Sequence, residues 1–415
     1  MSRKIVLFIF FFISIWGILF NILPRFAYFI TDLSLSYLVI EFIYKNNSIN
    51  KIFKHLKIKI LSSIMLCIFI IGIISSLINL VQPQLVLWEL RTFFRGFMFF
   101  IACLLYLKIS DVKLILSYFD YLLYMNLIVC GFEYFILNEK GDVLGGTFIG
   151  NGDLSLLCLI MIPYTIFRYF RYEISLKKFS LNFLSFFAIA SFAELKFIYY
   201  IILLVSIVAI FFVKKNKRIK QYIIFLPFIL ILGVVIIINL MGQEYFNFLI
   251  DDEQVTSYVT KEGGYGFIEG SINRGTAIEQ TQEIFFYNKP SINKYIGYGL
   301  GSACASGIFT GNLFTEFAWT NYWYFATSYI LIEQGWIGFI LFLLFWICIA
   351  FKFYTLSKKI NSSLILSCFM ISLLMILNIW YNASIKGDFI YILYIFLSLP
   401  FVLLIRNKTA ERCEK

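Results

Sequence analysis

The sequence predicts an all-α polytopic integral membrane protein, with about twelve transmembrane helices and one large extracytoplasmic loop. Three observations carry this expectation. Apolar residues make up 61% of the chain and charged ones only 14%, against roughly 45–50% and 25% in soluble domains. Apolar stretches near the ~20 residues that a bilayer-spanning helix needs recur from one end of the 415 residues to the other. Basic residues gather at alternate connections between those stretches, the charge pattern of cytoplasmic loops.

The apolar segments fall at about 5–23, 26–44, 60–81, 92–107, 114–137, 153–167, 181–194, 197–213, 221–241, 334–351, 363–383 and 388–405. Arg3-Lys4 and the apolar run to Leu23 are similar to the opening of a signal peptide. The run is long and has no small-residue cleavage site, so it reads as a retained first span. Basic clusters at 45–59, 108–113, 168–178, 214–220, 352–359 and 406–415 share a side with Arg3 and Lys4, which puts both termini in the cytoplasm. The net charge of +11 then sets orientation and touches anionic lipid headgroups; nucleic acid is not needed to explain it. Segment 181–213 has basic clusters of one side at both ends and is interrupted by Glu194-Leu195-Lys196. Two short spans meeting at the outer face satisfy both facts, whereas one long tilted helix would put the lysine-rich 214–220 run outside. Of eight cysteines, Cys67, Cys103, Cys130, Cys158, Cys348 and Cys368 lie in apolar stretches, leaving only Cys304 in the loop and Cys413 in the tail, so no disulfide framework is expected.

The organisation is therefore 1–241 with nine spans, 242–333 as a large periplasmic loop with an interfacial helix, and 334–415 with three spans and a cytoplasmic tail. The loop carries Asp251, Asp252, Glu253, Glu262, Glu269, Arg274, Glu279 and Glu283. Tyr258, Tyr265, Phe267, Phe285, Phe286 and Tyr287 argue that it folds, since loops of this length are otherwise functional or disordered. Trp319, Tyr322, Trp323 and Tyr324 read as an aromatic belt at the membrane surface.

Charge near hydrocarbon is costly and marks candidate sites. Arg91 and Arg95 are four residues apart on one helix face, where two forked guanidinia suit a phosphate or pyrophosphate; snorkelling, with Arg91 paired to Glu89, is the plainer alternative. Glu194 and Lys196 sit at the hairpin turn, lining a water-filled break or capping the turn as a local ion pair. Arg274 lies in Ser271-Ile-Asn-Arg-Gly-Thr-Ala277, and Glu316, Asn321 and Glu333 surround the re-entry into the membrane. The only histidine, His55, is in a basic cytoplasmic connection, so an outer His-based metal site or Ser-His-Asp relay is not available. Gly297-Tyr-Gly-Leu-Gly301 follows no strand–helix unit and reads as a flexible turn rather than a dinucleotide loop. No Walker-type Gly-Lys-Ser/Thr run occurs, which excludes ATP as the direct energy source. No metal or other cofactor is expected.

With Asn273-Arg274-Gly275, then Pro290, then Gly297 to Ser302, the chain resembles the O-antigen polymerase and ligase superfamily of bacterial membrane glycosyltransferases. Thr320-Asn321-Tyr322 with Glu333, Gly335 and Gly338, Gly146-Thr-Phe-Ile-Gly-Asn151, and Ala193-Glu-Leu-Lys196 are similar to further motifs of that family. The resemblance spans nearly the whole chain and rests mainly on architecture. It implies an undecaprenyl-pyrophosphate-linked oligosaccharide as substrate and a chain-length regulator protein as partner. It further implies Arg91, Arg95, Lys196 and Arg274 on the pyrophosphate, Glu316 or Glu194 as the base, and Asn321 and Asn151 toward the acceptor. Ligases of the family typically use an outer-loop histidine; its absence here favours the polymerase branch. The rival readings are a flippase for the same lipid-linked sugars and a membrane scaffold. A transporter usually shows two related halves and short loops, and a scaffold leaves Glu194 and Lys196 without a role.

Overall fold

The computed structural model describes residues 1–20, 22–23, 27, 29–44, 46–213, 217–260, 270–306 and 308–413. Lys45, Lys214, Lys215 and Lys415 of the basic clusters, and Glu262, Tyr265, Phe267 and Glu269 of the loop, lie outside them. So do the side chains of Asp252, Tyr258, Lys408 and Arg412. Among the described residues the chain is helical, with no strand beyond a bridge between Ala305 and Thr310.

Every predicted apolar segment is helical over most of its described residues. The first two fold as α1 (Ser2–Ser14) with α2 (Trp16–Phe20), and α3 (Ile30–Tyr44). An unforeseen helix, α4 (Asn46–Leu56), follows, then α5 (Lys59–Ile78), α6 (Pro83–Tyr106), α7 (Ile109–Phe135) and α8 (Asn151–Phe170). Next come α9 (Leu176–Phe192), α10 (Lys196–Phe212) and α11 (Lys217–Met241). The polar region holds α12 (Gln243–Ile250), α13 (Asp252–Thr260), α14 (Ala277–Phe286), α15 (Ser291–Ile296) and α16 (Asn312–Phe317). The chain closes with α17 (Ala326–Ser357), α18 (Ser363–Tyr381) and α19 (Ile390–Cys413).

Among the described residues six helices, α5, α7, α8, α11, α17 and α18, are long and apolar enough to cross a membrane. Their outward faces are apolar too: Leu66, Ile70, Ile74 and Leu77 of α5, and Phe228 and Ile231 of α11, are exposed. Water would not tolerate such continuous faces, whereas acyl chains match them. α8 runs through the centre, buried along nearly its whole length, with α9, α10 and α18 packed around it. This is the build of a multi-pass helical membrane protein.

The helix ends sort into two groups. One end of the bundle carries Arg3 paired with Asp111 at 2.5 Å, Asp120 held between Arg168 (2.8 Å) and Lys178 (2.5 Å), and Arg406 donating to the carbonyls of Leu105 and Leu107. Here α4 shows two faces, with Phe53 and Leu56 buried and Lys51, Lys54 and His55 exposed, as expected of a helix lying along a boundary. The opposite end collects the turns after α5, α7, α9 and α18 together with the polar region. Segment 181–213 is a hairpin: α9 stops at Phe192, Glu194 takes a left-handed φ of 51°, and α10 starts at Lys196.

The polar region has a core of its own, built from Ile272, Phe285, Phe286, Tyr322, Phe325 and Tyr329. Phe285 and Phe286 thus do the folding expected of them. Tyr322 does not serve as a surface anchor; it is fully buried, and its hydroxyl donates to the Ala303 carbonyl at 2.7 Å. The other corrected expectation is the glycine turn, which is clamped rather than flexible. The Tyr298 and Gly299 amides donate to the carbonyls of Ile332 and Glu333 (2.8 and 3.0 Å), and the Leu300 amide donates to Ser76 Oγ at 2.8 Å. Gly297, Gly299 and Gly301 all have positive φ, which L-residues with a Cβ resist. A Cβ on Gly299 would stand 2.6 Å from Ser76 Cα, so backbone would have to move. Gly299→Ala should therefore cost about 1–3 kcal/mol for overpacking, with φ strain added. The expected result is a much smaller monodisperse peak after detergent extraction; a wild-type peak would show that the clamp has slack.

Candidate functional site

Two of the predicted cations meet. Lys196 and Arg274 line one cavity of about 370 Å³ whose other walls are mostly apolar, among them Phe197, Phe248, Val259 and Trp380. Each half of the site has a local cause. Lys196 is the first residue of α10, so the hairpin turn projects it at the helix end. Its ammonium lies over the Phe248 ring, 4.1 Å from the centroid, and 5.4 Å from that of Tyr245. Cation–π contact of this kind holds a charge without neutralising it. Arg274 sits in a turn that Gln280 of α14 ties together. The Gln280 side-chain oxygen accepts from the Asn273 amide (2.9 Å) and Thr276 Oγ1 (2.6 Å), and its NH2 donates to the Ser271 carbonyl at 3.3 Å. The guanidinium donates from Nε to the Tyr381 carbonyl at 3.3 Å, and it lies 5.1 Å from the Tyr381 ring centroid and 5.7 Å from that of Phe325.

The remaining predicted residues divide. Glu194 and Asp142 lie close enough to Lys196 to act on it electrostatically, as does Arg274. Asn151 joins this side of the site, donating from Nδ2 to Asp142 Oδ1 at 2.5 Å. Asn321 has a left-handed φ of 59° between two short 3-10 turns; beside it the Thr320 carbonyl accepts from the Ile272 amide at 2.9 Å, two residues before Arg274. Asn321 thus shapes the support of Arg274 rather than lining the cavity. Glu316 is exposed on α16 and does not line it either.

Arg91 and Arg95 have carboxylate partners elsewhere. Arg91 pairs with Asp32 at 2.7 Å and stacks on Trp88. Arg95, fully buried, pairs with Asp388 and donates to the Lys386 carbonyl at 2.5 Å. Glu89 turns not to Arg91 but to Lys386, 3.7 Å away. Glu333 completes this second cluster: fully buried, it accepts from the Gly301 amide at 2.9 Å and the Ala303 amide at 3.3 Å, and it interacts with Glu89 and Lys386. Lys386 lies against the Tyr329 ring. Burial, with Glu89 and Glu333 nearby, pushes the Cys304 thiol up to about 11, which keeps it protonated at neutral pH.

Sequence reasoning missed Lys386, Asp388, Asp32 and Asp142. The signal was slight: Lys386 and Asp388 are charges in a short connection on the side that is poorer in basic residues. Among the described residues, no three His, Cys, Asp or Glu side chains gather to hold a metal ion.

What the arrangement can do follows from its two materials. A cavity with apolar walls accepts a hydrocarbon chain, and two cations at its rim attract an anionic head. Compared with known proteins, the chain matches no family model and no curated protein.

Proposed function

We propose that the chain is a membrane glycosyltransferase, an O-antigen or related surface-polysaccharide polymerase, that joins undecaprenyl-pyrophosphate-linked repeat units at the outer face of the cytoplasmic (inner) membrane. In this reading all twelve apolar helical segments cross the membrane, both termini are cytoplasmic, and the polar region with its cavity faces outward. The observation that carries it is the pairing of Lys196 and Arg274 across an apolar cavity: a polyprenyl pyrophosphate is itself a hydrocarbon chain ending in a dense anion.

The reaction then proceeds by displacement. A hydroxyl oxygen of the acceptor repeat unit bonds to the anomeric carbon of the donor as the bond from that carbon to the pyrophosphate oxygen breaks. Lys196 and Arg274 take up the negative charge that grows on the leaving group, the work for which preorganised cations are best suited. Glu194, adjacent to Lys196, accepts the hydroxyl proton in preference to the exposed Glu316. Arg95 and Arg91 hold α6 to its neighbours and act on the site through structure.

Deleting the gene in its host and resolving the surface polysaccharide on a gel tests the reading. A ladder reduced to the single-repeat band is the expected result. Loss of all surface sugar, with lipid-linked units accumulating at the cytoplasmic face, would overturn it in favour of a flippase.

A further inference from the structure

A second cavity lies at the other end of the bundle, nearly the full length of α17 away from Glu333. It has a volume of about 880 Å³ and is walled by the ends of α8, α10 and α17 and the start of α18. Three cations line it, Arg171, Lys358 and Lys359, with one carboxylate, Glu173. The Glu173 carboxylate accepts from Ser363 Oγ at 2.7 Å and also acts electrostatically on Arg171, leaving a net positive charge of two on the lining. Arg171 differs from the other arginines of that end. Its Nε is buried and has no hydrogen-bond partner, whereas Arg3 and Arg168 are both paired with aspartates. Leaving a buried charged donor unsatisfied is costly, and the usual remedy is a ligand or water. Lys358 and Lys359 are exposed on the cavity's rim, with the Lys358 ammonium over the Tyr354 ring at 4.4 Å.

The wall beside these cations is apolar and open. Phe211 is 82% exposed and Phe212 40% exposed, both at the end of an apolar helix. Phe212 packs on Tyr354 and Phe369, at 6.2 and 5.1 Å between ring centroids. An anion site fused to an apolar slot at a helix-bundle end has the two halves of a phospholipid: phosphate for the cations, acyl chain for the phenylalanines.

We propose that this cavity binds a phosphate group, supplied by the headgroup of an anionic phospholipid whose acyl chain lies on Phe211 and Phe212. Arg171 is the principal ligand and Lys358 and Lys359 close over it. The site is separate from the Lys196–Arg274 cavity and does not depend on the reading given to it.

The test uses the full chain, purified in neutral detergent, stripped of lipid, and followed by thermal unfolding. One arm titrates phosphatidylglycerol against phosphatidylcholine in mixed micelles, and a second titrates inorganic phosphate alone. Phosphatidylglycerol is expected to raise the midpoint where phosphatidylcholine does not. Arg171→Gln and the exposed pair Lys358→Gln/Lys359→Gln should each weaken that response roughly tenfold or more. A response to inorganic phosphate matching that to the lipid, lost in the same variants, would uphold the phosphate site and assign it to a soluble phosphate. If the two lipids act alike and phosphate is inert, the proposal fails. It fails equally if the variants, folded by their elution profile, respond as the wild type does. Because the lysine pair is exposed, its variant keeps the test decisive even where Arg171→Gln folds poorly.

Discussion

Arg274→Ala should abolish chain lengthening, with a rate loss of roughly 10²–10³-fold, the range seen when one preorganised donor to a developing anion is removed. Insertion into the membrane should be unchanged. The guanidinium is half-buried, and its contacts include one long hydrogen bond to the Tyr381 carbonyl and two aromatic faces. Truncating it therefore removes charge from the cavity without opening a packed core. Arg274→Lys keeps the charge but gives up the planar fork, and it should recover part of the rate. The polysaccharide ladder in a complemented deletion strain reads the result, beside a membrane blot for the amount of protein. Normal polymer from Arg274→Ala would remove this residue from the chemistry, and with it the main support for the proposed reaction.

The second large effect concerns stability. Lys386→Met should destabilise the fold by about 3–5 kcal/mol, the range for breaking a buried ion pair from one side. Lys386 is the cation placed against Glu89 and Glu333, and both carboxylates have no exposure at all. Without it, the buried carboxyl groups of Glu89 and Glu333 face each other with no cation between them in a medium that screens poorly. Glu333 also caps the amides of Gly301 and Ala303, so relief by rearranging Glu333 would loosen the clamped turn. Adding Glu89→Gln to Lys386→Met removes the carboxylate that the lysine faces at 3.7 Å and should restore a good part of the loss. The half-life of monodisperse protein in detergent at raised temperature measures both variants. Equal half-lives for wild type and Lys386→Met would mean that the lysine is solvated and the cluster is not an ionic unit.

The helices were legible because hydropathy is a local property, visible in any run such as 60–81. The hairpin at Glu194 was legible for a different reason: basic clusters on both sides of 181–213 force an even number of crossings. Lys196 and Arg274 stood out as charges near hydrocarbon or within a family-like motif, but their meeting across one cavity could not be read, since 78 residues of chain separate them. The same blindness hid the buried clusters. Arg91 and Arg95 on one helix face suggested one shared anion; instead α3 and the turn before α19 supply each with its own aspartate. A charge in a short connection, such as Lys386, is ordinarily solvated, and only the folded neighbourhood of Glu89 and Glu333 makes it otherwise. The helix α4 escaped notice because its lysines dominate a window average, although Phe53 and Leu56 recur at helical spacing.

The clamped glycine turn bears on how insertions would be tolerated along the polar region. From the turn, Ala303 is tied to Tyr322, Thr320 to Ile272, and Ile272 stands two residues from Arg274. Arg274 is thus indexed to the helix bundle through a few hydrogen bonds of fixed length, not suspended on a tether. Extra residues between α12 and α13 fall outside that chain of links, whereas a single added residue between 303 and 320 would shift the register of every link after it. The polar region is in this sense two materials, one open to drift in length and one held to the tolerance of a hydrogen bond.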